Sequence, residues 1–419
     1  MQRQQSFGTD ADITNLMDRR KRIGMIWRAG LLFSTTLAIL FLALLLFSVL
    51  DSSFGYVALR NEVEVSSLVP GKRAIAELSR QELEAVAKAN LSKGILKRVE
   101  YEKSLDKRTE HDLEGLLEQY VIKPTVLKTW TLSDSLFRTK AIQEYVEGES
   151  RSYLTFTSWI DPQFITNDQS ADPLHAGIRT ALLGSLWIIL ITLLFAFPIG
   201  VGSAIYLQEY AQENRFNRIL QLNIFNLSAV PSIIYGLLGL AIFVRAMESI
   251  TSGALFTGIS DATANGRTIL SGGLTLALLV LPIIIINTQE ALKAVPATLR
   301  MSSYGIGATK WQTIWYQVLP ACIDRILTGT ILAVSRALGE TAPLVIIGAS
   351  TFISVDPSGI FSKFTTLPIQ IYQWSARPQG AYRNIASAAI IVLLVLLMVM
   401  NSAAIYIRDT LSKKKRWES

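Results

Sequence analysis

Apolar residues in this chain collect into six runs, at 27–50, 178–207, 220–243, 270–286, 326–349 and 385–407, each closed off by charged or Gly- and Asn-rich sequence. About 20 apolar residues cross the roughly 30 Å hydrocarbon layer as a helix, and a helix satisfies its own backbone polar groups there. The pattern predicts an all-α membrane protein of six transmembrane helices. The first run starts only at residue 27, is too long for the apolar part of a secretion signal and has no small-x-small site before Asp51, so it reads as retained. Pro198, Pro231 and Pro282 fall inside runs and predict kinks.

A different pattern fills the space between the first two runs. Residues 51–176 are polar and evenly charged, and long enough for a small domain. Helices are expected at 80–89, where Ser79 and Glu82 fit a capping box, and at 112–121 and 133–146. Alternation at 54–65 and 152–159 predicts strands, and 167–173 (N-D-Q-S-A-D-P) reads as the return linker. A small α+β domain inserted after the first helix is the result.

Charge placement orients the whole. Arg19, Arg20, Lys21, Arg22 and Arg28 precede the first run, and Lys413, Lys414, Lys415 and Arg416 follow the last. Arg215 and Arg218 follow the second run, and Lys293, Arg300 and Lys310 the fourth, whereas loop 248–266 has no basic residue and the loop after the fifth has only Lys363, Arg377 and Arg383. Basic loops stay on the cytoplasmic side, so both termini are expected there and 51–176 outside. Arg179 and Arg245, near span ends, read as interfacial anchors. This distribution accounts for the net charge of +7 without invoking nucleic acid. A single cysteine, Cys322, excludes an internal disulfide, and His111 and His175 have no clustered partners that would suggest a metal.

Two stretches carry candidate chemistry. The loop after the fourth run contains G-A-T-K-W-Q-T-I-W-Y-Q-V-L-P from Gly307 to Pro320, thirteen residues apart. It predicts two short helices around a glycine turn, with Ile306, Trp311 and Ile314 offered to a groove on another protein. Within the fifth run, S-R-A-L-G-E-T-A-P-L places Arg336 and Glu340 four apart, on one helix face, followed by Thr341. Charges inside a membrane are costly and mark a pathway or a pairing. Two readings stand: an anion pathway with forked guanidinium donors, or an ion pair that locks the fifth helix to a neighbour. No G-x-x-x-x-G-K-[ST] occurs (V-P-G-K-R at 69–73 lacks the first Gly and the Ser/Thr), nor G-x-S-x-G or H-E-x-x-H. The chain is therefore read as a non-enzyme.

The Gly307–Pro320 spacing, with Ala308 and Thr309 after the glycine, resembles the coupling loop of ABC import permeases. Met301, Ser302 and Ser303 stand where that family commonly has Glu-Ala-Ala, and Gln317 replaces an aliphatic residue. The string around Arg336, with N-L-S-A-V-P-S-I-I-Y-G (226–236) and T-L-P-I-Q-I-Y-Q-W (366–374), resembles the A-type permease subunit of phosphate-specific ABC importers. That resemblance implies a type I importer fold, with a leading segment and helix at 1–50, an insertion at 51–176, a five-helix core at 177–408 carrying coupling loop 290–320, and a basic tail at 409–419. It also implies a heterodimer with a C-type permease, a dimeric ATPase that uses ATP and magnesium, and a periplasmic phosphate-binding protein. No cofactor is expected on this chain. A permease for sulfate or molybdate, or a phosphate-sensing membrane scaffold, are the alternatives. The inserted domain would dock the binding protein or only stabilise the assembly.

Overall fold

A computed structural model describes residues 10–61, 63, 78–102, 104–149, 152–257, 265–350 and 352–416. The far end of the strand expected at 54–65 lies outside them. α1 (Asp10–Ser53) is one unbroken helix of 44 residues that passes directly into β1 (Phe54–Asn61). The junction is pinned twice. The Asp51 carboxylate accepts from the Ser133 amide (2.6 Å) and hydroxyl (2.8 Å), and the Asn384 amide donates to the Ser52 carbonyl (2.6 Å).

β1 is the central strand of a three-stranded antiparallel sheet, order β2-β1-β3, with β2 at Pro124–Thr129 and β3 at Ser152–Ser158. Val57 faces Thr129 on one side and Thr155 on the other. Strand alternation turns Val57 and Leu59 to one face, where they join Trp159 and Phe164 in a core completed by Leu367, Trp374 and Ile385 of the membrane-side helices. Between β1 and β2, α2 (Arg80–Asn90), α3 (Lys93–Glu102) and α4 (Glu110–Leu117) form a separate apolar cluster around Leu83, Val99, Leu113 and Leu117. The Ser79/Glu82 capping box is present. The helix expected at 133–146 is two, α5 (Leu132–Phe137) and α6 (Thr139–Glu147), separated at Arg138. β2, α3 and α7 (Pro162–Thr166) had no counterpart in the sequence reading.

Asp51→Ala should free the start of α5, costing about 1–2 kcal/mol for a lost carboxylate cap. Limited proteolysis should then cut faster within 124–158; an unchanged digestion pattern would refute the pinning role.

The membrane part contains α8 (Arg179–Ile205), α9 (Arg215–Ser228), α10 (Ser232–Gly239), short α11 (Glu248–Thr251) and α12 (Ala254–Thr257), and α13 (Ile269–Lys293). Then follow α14 (Ala297–Gly305), α15 (Lys310–Thr313), α16 (Leu319–Gly339), α17 (Ala342–Ile347), α18 (Leu367–Ser375) and α19 (Gly380–Arg416). Among the described residues five helices are long and apolar enough to cross a membrane, six if the α9–α10 pair counts as one span. α13 is the central one: its apolar stretch is 72% buried, against 11% for α19 and none for α1.

Two expected spans are not continuous. The third bends by 106° between α9 and α10. Pro231 cannot donate to the preceding turn and forces Val230 off the helical path, so the helix stops and Pro231 starts the next. The Tyr235 hydroxyl donates to the carbonyl of Leu227 (2.7 Å), which also accepts from the Val230 amide at the break (3.1 Å). Pro198 and Pro282, by contrast, stay inside unbroken α8 and α13. The fifth span ends at Gly339, Glu340 is extended (ψ 120°), and helix resumes at Ala342.

Candidate functional site

The loop after α13 folds as two short helices on a glycine hinge. α14 follows Pro296, and Gly307 takes φ +84°, the left-handed conformation that glycine adopts without strain. Thr309 and Gln312 form a capping box that starts α15. A wider π-type turn, Ile314–Val318, then leads into α16, with Pro320 in its first turn. The Ser303 and Thr313 hydroxyls, both buried, bond at 2.9 Å and hold α14 against α15.

The face this loop presents differs from the expected one. Ile306 is 86% exposed and Trp311 53% exposed, but Ile314 is fully buried. Thr313 is drawn inward by Ser303, Ile314 follows it inside, and the wide turn rotates the next residues outward. Trp315 and Tyr316 take its place on the surface, with Trp315 stacked on Trp311 at 5.6 Å between ring centroids. Ala308 is half-buried and its amide donates to the Ser303 carbonyl (3.2 Å).

The Arg336–Glu340 pair forms, though not along one helix. Arg336 is in the last turn of α16 and Glu340 is the residue just beyond the helix. Arg336 Nε lies 3.5 Å from Glu340 Oε1, too long for a strong hydrogen bond and within the reach of charge attraction. The Arg336 side chain is 54% exposed and that of Glu340 only 18%. Thr341 precedes α17 with no capping bond from its side chain. Next to Arg336, the Ser335 hydroxyl bonds Asn401 Oδ1 (2.6 Å), tying α16 to α19. The second fragment, α17, packs against α10, so the two interrupted helices of the fold meet. Arg179, read as an anchor, pairs with Asp356 at 2.9 Å and donates to the Thr166 carbonyl. Among the described residues no three His, Cys, Asp or Glu side chains gather as a metal site would need.

Residues 196–416, more than half of the chain, match the family described as binding-protein-dependent transport system inner membrane component. The chain belongs to that family. The permease is 32% identical over 266 residues to the probable ABC transporter permease protein YqgI of Bacillus subtilis (strain 168), covering 60% of this chain and 84% of that one. It is 38% identical over 224 residues to the phosphate transport system permease protein PstA of Haemophilus influenzae, covering 52% and 72%. Among solved structures it is similar to a chain of the MetNI methionine ABC transporter in inward-facing conformations, at 16% identity and a TM-score of 0.42, covering 58% and 99%. As a family member the chain is a multi-pass inner-membrane component of an ABC transporter, and not itself an enzyme.

Proposed function

We propose that this permease carries inorganic phosphate inward, as the A-type half of a pathway completed by a C-type permease. The observation that carries the reading is the Arg336–Glu340 pair at a point where a membrane helix is interrupted. Interrupted helices expose backbone polar groups in hydrocarbon, which is tolerated where they are covered by protein or line a polar route. A guanidinium half exposed on one subunit has donors left for a phosphate dianion, and Glu340 orients it. Thr341, at the same break, adds a hydroxyl. Similarity to phosphate transport permeases supports phosphate over other oxyanions.

In this reading a periplasmic phosphate-binding protein delivers the anion from outside. A dimeric ATPase, using its own ATP and magnesium, grips the loop 290–320 from the cytoplasm. The exposed Ile306, Trp311, Trp315 and Tyr316 are the apolar anchors of that contact, and Gly307 sets the angle between its two helices. Six crossings, with α9 and α10 as one bent span, put both termini in the cytoplasm and the sheet outside. The lipid bilayer covers the exposed flanks of α1 and α19.

The decisive experiment is ATP-driven uptake of labelled phosphate by proteoliposomes holding all four components. Sulfate and molybdate in excess should leave uptake unchanged. Competition by either would move the substrate assignment to that oxyanion, and ATP hydrolysis with no uptake at all would favour a sensing scaffold.

A further inference from the structure

A largely buried charge pair ties the coupling loop to the end of α8. Arg300 of α14 lies 2.7 Å from Glu209, with side chains only 19% and 8% exposed. Glu209 belongs to a π-type turn, Tyr206–Tyr210, that prolongs α8. The same guanidinium donates to the Val295 carbonyl (2.8 Å) and the Leu292 carbonyl (3.0 Å) at the end of α13. One fork therefore joins the coupling loop to two membrane helices, a geometry that guanidinium provides and ammonium does not. A second contact runs in parallel: the Lys310 ammonium of α15 lies 5.0 Å from the ring centre of Tyr210. The two helices of the loop thus grip adjacent residues, Glu209 and Tyr210, at one end of α8.

The other end of α8 is also fixed. Arg179 and Thr180 both bond Asp356, at 2.9 Å each. A helix of 27 residues rises roughly 40 Å, so α8 is a continuous rod between the loop and the opposite membrane face. A buried ion pair is a poor route to stability, since desolvation offsets most of its attraction. Its value lies in geometry, because it resists being pulled apart once water is excluded.

The geometry points to Arg300 and Glu209 as the strut through which movement of the coupling loop reaches α8. The inference rests on the reading of 290–320 as the ATPase contact. Arg300 is a positioning residue here: its guanidinium is taken up by Glu209 and by the Leu292 and Val295 carbonyls.

The test uses the full complex in proteoliposomes with Arg300→Glu, Glu209→Arg, the double charge swap, and Arg300→Lys. Three readouts are taken: co-purification of the ATPase, stimulation of ATP hydrolysis by the loaded binding protein, and phosphate taken up per ATP. Perturbing a coupling path typically changes coupling by up to about tenfold or somewhat more. Each single reversal should keep the ATPase attached yet lose about tenfold in stimulation and in uptake per ATP. The double swap should recover most of both, and Arg300→Lys should fall between. Single reversals that are stimulated normally overturn the strut. If a single reversal fails to assemble, the swap decides: an assembled double variant without stimulation also overturns it. Ile306→Asp with Trp311→Asp separates the two levels. ATPase retained by that variant would count against the loop reading itself, whereas its release beside a normally coupled Arg300→Glu would count against the strut alone.

Discussion

Arg336→Ala is expected to lower phosphate uptake by roughly two to three orders of magnitude, with the ATPase still bound to the permease. Each hydrogen bond lost to a charged group costs about 1.5–3 kcal/mol, a fork supplies two, and each 1.4 kcal/mol is tenfold. Two effects add here. The dianion loses a forked donor, and Glu340, only 18% exposed, becomes an uncompensated negative charge on its route. Arg336→Lys keeps the charge without the fork and should lose about tenfold. Glu340→Gln keeps the donor and should cost less than Arg336→Ala. Labelled-phosphate uptake, normalised to the ATPase recovered with each variant, orders the series. Wild-type uptake by Arg336→Ala would reduce the pair to a link between the end of α16 and the chain beyond it.

The second large effect is expected from a single methyl group. A Cβ on Gly236 would lie 2.7 Å from the Pro343 Cα, 3.0 Å from its carbonyl oxygen and 3.2 Å from the Ile346 Cβ. Two of those are backbone atoms that cannot rotate aside, so α10 and α17 must separate. Overpacking of this kind costs about 1–3 kcal/mol. Because α17 begins directly after Glu340 and Thr341, the displacement reaches the proposed anion route as well. Gly236→Ala should therefore lower both the thermal midpoint of the purified complex and its uptake. Gly202→Ala is the control: nothing lies within 4 Å of that Cβ, and removing a helical glycine stabilises by up to about 1 kcal/mol. Equal midpoints for the two variants would mean that α10 and α17 are not packed as closely as described.

What could be read from the sequence follows from how local each signal is. The apolar runs, the Ser79/Glu82 box and the Gly307 turn depend on neighbours a few residues away, and each is present in the fold. The kink expected at Pro231 is there as a 106° bend, but a proline reads alike in bent α9–α10 and in continuous α8, and the break at Glu340 is hidden because hydropathy averages over a window. Ile314, expected on the exposed apolar face with Ile306 and Trp311, is buried at the start of a wide turn, 314–318, that nothing local in the sequence announces. β2 gives little strand signal because it is short and begins with proline, which suits a strand at the sheet edge. Glu209 and Arg300 are 91 residues apart and carry no mutual signature in the sequence; only the fold brings them together.

The sheet after α1 has one further consequence, for how such a protein could be shortened. Val57, Leu59, Trp159 and Phe164 are on its side of a core whose other side is Leu367, Trp374 and Ile385. Cutting the chain down to the family-matched 196–416 would uncover that apolar wall and strip the Asn384 amide of its partner at Ser52. The sheet segment is thus built into the same core as α18 and α19 and cannot be removed without exposing it. A shortened version would leave Trp374 and Ile385 facing water and would need polar residues at the outer ends of α18 and α19 to stay soluble there.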